Sequence, residues 1–185
     1  MSSRIATATV TRRSDMTKRQ AWVFALAVCG ALGLVATYKV GPKLYNKYRE
    51  HQVQGRKVYD VNADVRAEYA AGLARAQKEK KQLLVVLGGN WCNWCLVLDE
   101  LMREDTQLRD YLSEHYVVLK LDSAAAKPLD ETWGRPTRQG VPVLIFVAHD
   151  GTVRHIQETI SLAVWNGRIL AHDPHRVLEV LKRWT

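Results

Sequence analysis

The residues that decide the fold lie at positions 83 to 95, which read Leu83-Leu84-Val85-Val86-Leu87-Gly88-Gly89-Asn90-Trp91-Cys92-Asn93-Trp94-Cys95. The first five form an unbroken apolar run, which is typical of a β-strand covered on both faces. Beyond the last cysteine, apolar residues continue at helical spacing at Leu98, Leu101 and Met102. The two cysteines are therefore predicted to lie where a buried strand passes into an amphipathic helix.

This position gives Cys92 a chemical role. The first turn of a helix leaves backbone N–H groups unpaired at the positive end of the helix dipole, so an anion is favoured there. Because the thiolate is the nucleophilic form of cysteine, we expect Cys92 to attack disulfides. Cys95 lies one turn further along on the same face, shielded but close enough to resolve a mixed disulfide formed at Cys92.

A CxxC pair can also be half of a zinc site. Zinc usually takes four ligands, so a second pair of cysteines or histidines would have to converge on the first. The sequence has no second CxxC, and its histidines show no ligand spacing: His51, His115, His149, His155, His172 and His175. We expect His149 and His155, which flank a predicted hairpin, to be solvated. A redox role is favoured, and no metal site is predicted.

The rest of the pattern alternates helices and strands and indicates an α/β fold. Apolar periodicity, apolar runs, capping residues and a turn dipeptide each mark an element. In chain order the predicted elements are a helix over about 63–80, the strand over 83–87, the helix after Cys95, a helix capped at Asp105 or Thr106, a strand over 116–121, a hairpin around Asp150-Gly151, and a final helix capped by Asp173. Residues 159–172 fit neither periodicity.

Residues from about 59 to 185 resemble the thioredoxin superfamily. The resemblance rests on the WCxxC sequence at 91–95 together with Gly140-Val141-Pro142-Val143-Leu144-Ile145-Phe146. It implies a thioredoxin-like fold, a central mixed β-sheet flanked by helices. It also implies a cis bond between Val141 and Pro142 beside the cysteines, with the Val141 backbone offering hydrogen bonds to an extended substrate segment. By the same resemblance Trp91 shields the nucleophile, and packing of its ring is the alternative.

The sequence departs from the thioredoxin pattern at two places. Many thioredoxins have a buried acid six positions before the first cysteine, where this chain has Val86. Either Asp99, Glu100 or water replaces that acid in deprotonating Cys95, or Cys95 loses its proton slowly. The usual Gly-Pro between the cysteines is replaced by Asn93-Trp94, which brings no charge, so a Cys92 thiolate depends mainly on the helix terminus. Trp94 adds bulk that can narrow the choice of substrate or contact a partner.

The formal charge of +8 is concentrated at one end of the chain. Residues 1–50 hold nine Lys or Arg and two acids, a net +7, whereas the other 135 residues hold 18 basic and 17 acidic side chains, a net +1. The later part of the chain therefore has no basic excess with which to bind nucleic acid. The excess flanks an apolar stretch and is typical of a membrane boundary.

These features predict four regions: a basic tail over 1–20, a transmembrane helix or signal anchor over 21–38, a basic tether over 39–58, and the thioredoxin-like domain over 59–185. An apolar run of about 18 residues nearly spans a hydrocarbon core. A cleaved signal peptide is the alternative for 21–38. We expect the domain to face the periplasm of a bacterium, and a mitochondrial membrane is the alternative location.

The function expected from the sequence is that of a membrane-tethered thiol–disulfide oxidoreductase, acting as a reductase on protein disulfides. The sequence has no GxGxxG fingerprint, so we expect no cofactor beyond the redox-active Cys92–Cys95 disulfide, and an upstream electron donor as partner. Two alternatives stay open. One is a binding or assembly module that holds a partner near Val141–Pro142, and the other is a protein that handles copper through its soft cysteine ligands.

Overall fold

The computed structural model describes residues 53–165 and 170–185. The predicted tail over 1–20, the predicted membrane helix over 21–38 and the tether up to residue 52 lie outside the described residues. Among the helices within the described ranges, none combines the length and the apolar character needed to cross a bilayer.

Four strands form a mixed sheet in the order β2-β1-β3-β4. Strand β1 runs parallel to β2, with Val85 opposite Leu119, and antiparallel to β3, with Val85 opposite Ile145. Strand β3 pairs antiparallel with β4 across the predicted hairpin. The strands are β1 Gln82–Gly88, β2 Tyr116–Asp122, β3 Val143–Val147 and β4 Val153–Glu158. The predicted central mixed sheet is thus confirmed.

Local capping explains where most of the helices begin. The side chains of Asp64, Asp105 and Asp173 accept hydrogen bonds from backbone N–H groups in the first turns of the helices that follow them. In the described part of the chain the helices are α1 Val65–Glu79, α2 Asn93–Glu104, α3 Thr106–His115, α4 Lys127–Thr132 and α5 Pro174–Arg183. The predicted helices are confirmed, and α4 lies in a segment for which the sequence pattern predicts no element.

Strand β1 contributes side chains to both layers of the core. Successive residues of a strand point to opposite faces of the sheet, so one run of apolar residues can fill two layers. Leu84 and Val86 lie in the cluster formed with α2, α3 and α5. Leu83, Val85 and Leu87 lie in the cluster on the other face, with residues of α1. This double burial explains why the run contains no polar residue.

The segment that fitted neither periodicity forms a second, two-stranded sheet. A 3-10 turn, Ile160–Leu162, leads into β5 Ala163–Trp165, which pairs antiparallel with β6 Leu170–His172. Three-residue strands are too short to show a periodicity in sequence. The guanidinium of Arg176 on α5 donates to the carbonyls of Ser161 and Ala163, each at 3.2 Å, and ties this segment to the last helix.

The two histidines expected to be solvated differ from each other. His149 is exposed, as predicted. His155 is half-buried, and its ring stacks on Trp184 with a centroid separation of 4.3 Å and an interplanar angle of 10°. The prediction for His155 is wrong because Trp184, which follows α5, covers the outer strand β4 at this point.

Candidate active site

Cys92 occupies the cap position at the start of α2. Its backbone is extended, with φ −95° and ψ 97°, and its sulfur accepts a hydrogen bond from the Cys95 N–H at 3.1 Å. The carbonyl of Cys92 accepts the Leu96 N–H, also at 3.1 Å, which closes the first helical turn. The strand β1 ends four residues earlier, so the predicted strand-to-helix junction places this sulfur at the positive end of the helix dipole.

The two cysteines are joined in a disulfide, with their Cα atoms 5.3 Å apart. Cys92 is 8% exposed and Cys95 is 1% exposed. Both sulfurs lie in one small apolar cluster with Val53, Tyr59 and Leu96. Cys92 is the more exposed residue of the pair, and the roles of Cys92 as nucleophile and Cys95 as resolving cysteine stay predictions.

The peptide bond between Val141 and Pro142 is cis. The Val141 carbonyl oxygen lies 3.7 Å from the Cys92 sulfur. This is a van der Waals contact and not a hydrogen bond, because a disulfide sulfur carries no proton to donate. The Thr159 hydroxyl donates to the Pro142 carbonyl at 2.9 Å, and this bond links the cis-proline loop to the segment before β5. The structure therefore brings the two distant sequence signals, the CxxC and Val141-Pro142, to one place.

The two tryptophans beside the cysteines have different environments. Trp91 is 71% exposed and lies outside the buried core. Its indole lies against Gly89, where any side chain would collide with it. Trp94 is half-buried and its ring centroid lies 4.1 Å from that of His172. Asn93, between them, is exposed.

His172 is a site residue that sequence reasoning missed. It is the last residue of β6, 5% exposed, and packs against Trp94 from a position 78 residues further along the chain. Neither ring nitrogen has a hydrogen-bond partner among the described residues. Burial lowers the pKa of His172 from 6.5 to about 4, so its imidazole is neutral at neutral pH. No spacing in the sequence could have shown this, because the contact depends on where the short second sheet lies.

Asp99 is the buried acid beneath the site. Val86 is buried in the apolar core, and the acidic group lies instead on α2, one helical turn after Cys95. The Asp99 side chain is 3% exposed and forms ion pairs with Arg56, at 2.7 Å, and with Lys120 on β2. Of the two acids considered from sequence, Asp99 is the buried one, whereas Glu100 is half-buried.

The segment before α1 packs against the active-site loop. The Asn90 side-chain oxygen accepts the N–H groups of Val58, at 2.8 Å, and Tyr59, at 3.0 Å, and its amide donates to the Tyr59 carbonyl at 2.7 Å. Val53 is fully buried in the cysteine cluster. Residues 53–58, assigned to the tether from sequence, thus form part of the packed domain.

The hydroxyl of Tyr59 is buried and has no hydrogen-bond partner among the described residues. It lies against Gly88, the last residue of β1, where an added side chain would collide with the phenol ring. Burial raises the pKa of Tyr59 strongly, and the negative charges of Asp99 and Asp122 raise it further. This phenol stays protonated and serves as part of the wall behind the cysteines.

The described residues offer no cluster that fits a metal ion. Within 53–165 and 170–185, no three side chains of histidine, cysteine, aspartate or glutamate converge with suitable geometry. The two cysteines therefore lack further ligands in this part of the chain, and a tetrahedral zinc site would need two more.

Comparison with known proteins gives a consistent result. Residues 64–148 match a family described as thioredoxin-like. A disulphide isomerase from Xylella fastidiosa Temecula1 is similar in structure, with 24% identity, 70% of this chain and 97% of that chain covered, and a TM-score of 0.57. The C-terminal domain of Neisseria meningitidis DsbD in the oxidised form shares 15% identity over 66% of this chain and 97% of its own, with a TM-score of 0.48. Among curated proteins, none matches the sequence.

A thioredoxin-like sheet, a CxxC at the start of a helix and an adjacent cis-proline define the thioredoxin-like class of thiol–disulfide oxidoreductases. The match over residues 64–148, which contain both cysteines and the cis-proline, supports the resemblance of this part of the chain to the thioredoxin superfamily.

Proposed function

We propose that the protein reduces disulfide bonds in other proteins, with Cys92 as nucleophile and Cys95 as resolving cysteine. The single observation that carries this proposal is the arrangement around Cys92. Cys92 is the more exposed residue of the pair, and its sulfur caps α2 and lies 3.7 Å from the Val141 carbonyl oxygen next to the cis-proline. An extended substrate segment that paired with the Val141 backbone would bring its own sulfur up to Cys92. Protein disulfides are therefore the substrate class that this geometry favours.

The reaction consists of two exchanges. The Cys92 thiolate attacks one sulfur of the substrate disulfide, a mixed disulfide forms, and the other substrate sulfur leaves as a thiolate that takes up a proton. The Cys95 thiolate then attacks the Cys92 sulfur, which forms the Cys92–Cys95 disulfide and releases the second substrate thiolate. The substrate gains two electrons and two protons in total. A dithiol donor must then reduce the Cys92–Cys95 disulfide to complete the cycle.

Asp99 acts on the second exchange in this proposal. Cys95 is almost fully buried, so its proton needs an acceptor before the thiolate can attack. Asp99 lies four residues later, on the same face of α2, within reach of Arg56 and Lys120. We assign its carboxylate the role of accepting that proton, directly or through a water molecule, at the place in the mechanism where many thioredoxins use a buried acid and this chain has Val86.

The proposed location of the protein is a membrane facing the periplasm. The apolar stretch over 21–38 and the basic residues on both sides of it support a membrane anchor, with the thioredoxin-like domain on the periplasmic side. An extracytoplasmic reductase depends on a partner that supplies electrons there. Protease protection of the domain in intact spheroplasts would contradict this orientation, and cleavage by added protease is the expected result.

Reduction of insulin by the full chain tests the activity. We expect the wild type to reduce insulin and Cys92→Ser to be inactive. Cys29→Ser is the matched control, because it removes the third cysteine of the chain, which lies in the predicted anchor, and we expect it to be fully active. Full activity of Cys92→Ser would rule out the proposed nucleophile.

Trapping tests the order of the two cysteines. We expect Cys95→Ser to accumulate mixed disulfides with protein substrates in cells, because the second exchange is blocked. Asp99→Asn should lengthen the life of the mixed disulfide at least about tenfold while leaving the rate of the first attack unchanged. Glu104→Gln, which removes an exposed acid from the same helix, is the control. An equal slowing of both steps by Asp99→Asn would show a general structural role instead.

A further inference from the structure

A polar cavity of about 370 Å³ opens at the same edge of the sheet as the cysteines. One wall follows β2 and includes Ser123, whose N–H donates to the carbonyl of Gly88, the last residue of β1, at 2.7 Å. The other walls are the helix α4 and the 3-10 turn Pro136–Gln139. Because β1 and β2 are parallel, their carboxyl ends meet at this edge, where the loop carrying Cys92 also begins.

The cavity is close to the reacting sulfur. Arg138 on the 3-10 turn precedes Val141 by three residues, a separation of at most about 10 Å along the chain. The Val141 carbonyl in turn lies 3.7 Å from the Cys92 sulfur. A substrate residue two to four positions from its cysteine spans about 7 to 14 Å in an extended chain. Such a residue can reach the cavity while its cysteine contacts Cys92.

The charges that line the cavity do not cancel. The buried Asp130 carboxylate accepts the Thr137 N–H at 3.2 Å and the Thr137 hydroxyl at 2.7 Å, so its hydrogen bonds are internal. Arg135 pairs with Glu131 at 3.4 Å. The side chains of Lys127 and Arg138 are exposed, and neither makes an ion pair or a hydrogen bond with any described residue. Two cations without partners thus face a polar cavity beside the active site.

We propose that this cavity binds acidic side chains of the substrate protein that lie close to its disulfide, with Lys127 and Arg138 as the binding cations. This inference rests on the proposed function, because it names the substrate class of the same site. The whole folded part of the chain carries almost no net charge, so the preference would come from these two positions rather than from a general field. Each exposed cation contributes a factor of about two to five in kcat/KM, and salt reduces the effect.

Disulfide-bonded peptides test the preference. Three peptides of the same sequence carry Glu, Gln or Lys at two positions within four residues of the cysteine, and their reduction by the reduced full chain is followed at low salt. We expect the wild type to have a kcat/KM about fivefold higher for the Glu peptide than for the Gln peptide, and lowest for the Lys peptide. The ratio of Glu to Gln should fall close to one in the double variant Lys127→Gln, Arg138→Gln.

Lys78→Gln is the matched control. It removes one exposed cation from α1 close to the start of β1, at the opposite edge of the sheet, so the preference should persist. Equal loss of the preference in this variant, or an equal kcat/KM for Glu and Gln peptides with the wild type, overturns the inference.

A binding measurement separates the inference from the proposed function. The same peptides with blocked cysteines are titrated against the oxidised full chain, and fluorescence anisotropy reports binding without any exchange. We expect the Glu peptide to bind several-fold more tightly than the Gln peptide, and this difference to disappear in the double variant. If no peptide is reduced but the Glu peptide binds selectively, the reductase proposal fails and the cavity assignment stands. If the peptides are reduced but bind equally, the cavity assignment fails alone.

Discussion

Acid should weaken the fold through His172. The pKa of its imidazole is about 4 in the folded protein and 6.5 without burial, because the native environment removes water from a ring that packs on Trp94. The unfolded chain therefore binds a proton more readily than the native one between these two values. Stability is fully present above about pH 6.5 and falls as the pH is lowered towards 4.

The size of this effect follows from the two pKa values. Their difference corresponds to about 3 kcal/mol in total. Between pH 7.5 and pH 4.5 the expected loss of stability through His172 is about 2 to 3 kcal/mol. A loss of this size is a large fraction of the free energy of unfolding of a typical protein, which is about 5 to 15 kcal/mol.

Urea unfolding of the oxidised full chain, followed by tryptophan fluorescence at the two pH values, measures this loss. The variant His172→Phe keeps an aromatic ring against Trp94 but cannot be protonated, so its stability should fall by about 2 to 3 kcal/mol less than that of the wild type. His172→Leu provides a second variant if the larger ring does not fit. His175→Gln removes a largely exposed imidazole from α5 and should retain the wild-type dependence.

The reasoning is refuted if both His172 variants fold and lose as much stability on acidification as the wild type. Comparison of the change in stability between the two pH values cancels the effect that each substitution has on stability at both of them. Removing two buried nitrogens without partners stabilises the fold, by about 1 to 3 kcal/mol for each group. A larger ring can offset that gain through overpacking, by a similar amount of about 1 to 3 kcal/mol.

Three further predictions concern the packing around the site. Asn90→Ala removes three hydrogen bonds to Val58 and Tyr59, so it should cost about 1 to 3 kcal/mol and speed hydrogen exchange at both amides. Unchanged exchange would contradict it. Leu96→Ala empties a fully buried position next to the cysteines and should cost about 2 to 5 kcal/mol in urea unfolding. A loss below about 1 kcal/mol would show that neighbouring side chains move in to fill the space left by Leu96. Asp173→Ala removes the cap of α5 and should cost about 0.5 to 2 kcal/mol, with helical signal lost on heating before the main transition. A fully cooperative transition would argue against local fraying.

Much of the architecture could be predicted because it depends on residues that are close in sequence. The apolar run of β1 indicates burial on both faces, and the aspartates at 64, 105 and 173 each cap the helix that follows them. The CxxC likewise follows directly from β1 and begins α2. Capping hydrogen bonds and side-chain periodicity depend on residues that lie within one or two helical turns of each other in the sequence.

The resemblance to thioredoxins supplied one long-range expectation, the cis bond at Val141–Pro142 beside the cysteines, and the structure confirms it. The sequence did not decide which group, Asp99, Glu100 or water, takes the place of the buried acid of thioredoxins. A residue pattern indicates that a helix has an apolar face, but not which of two adjacent acids will turn towards a basic partner. The acid that turns inwards is Asp99, because Arg56 and Lys120 bind its carboxylate. These partners lie 43 residues before it and 21 residues after it.

The sequence by itself determined the class of fold and the junction at which the two cysteines lie. Only the tertiary structure decided which polar groups are buried away from water and which charged groups have no ion-pair partner. His172 is buried against Trp94, Asp99 is enclosed between two cations, and Lys127 and Arg138 face a cavity without partners. The physical reason is that burial and ion pairing depend on surfaces that meet across tens of residues, whereas helical and strand patterns depend on near neighbours.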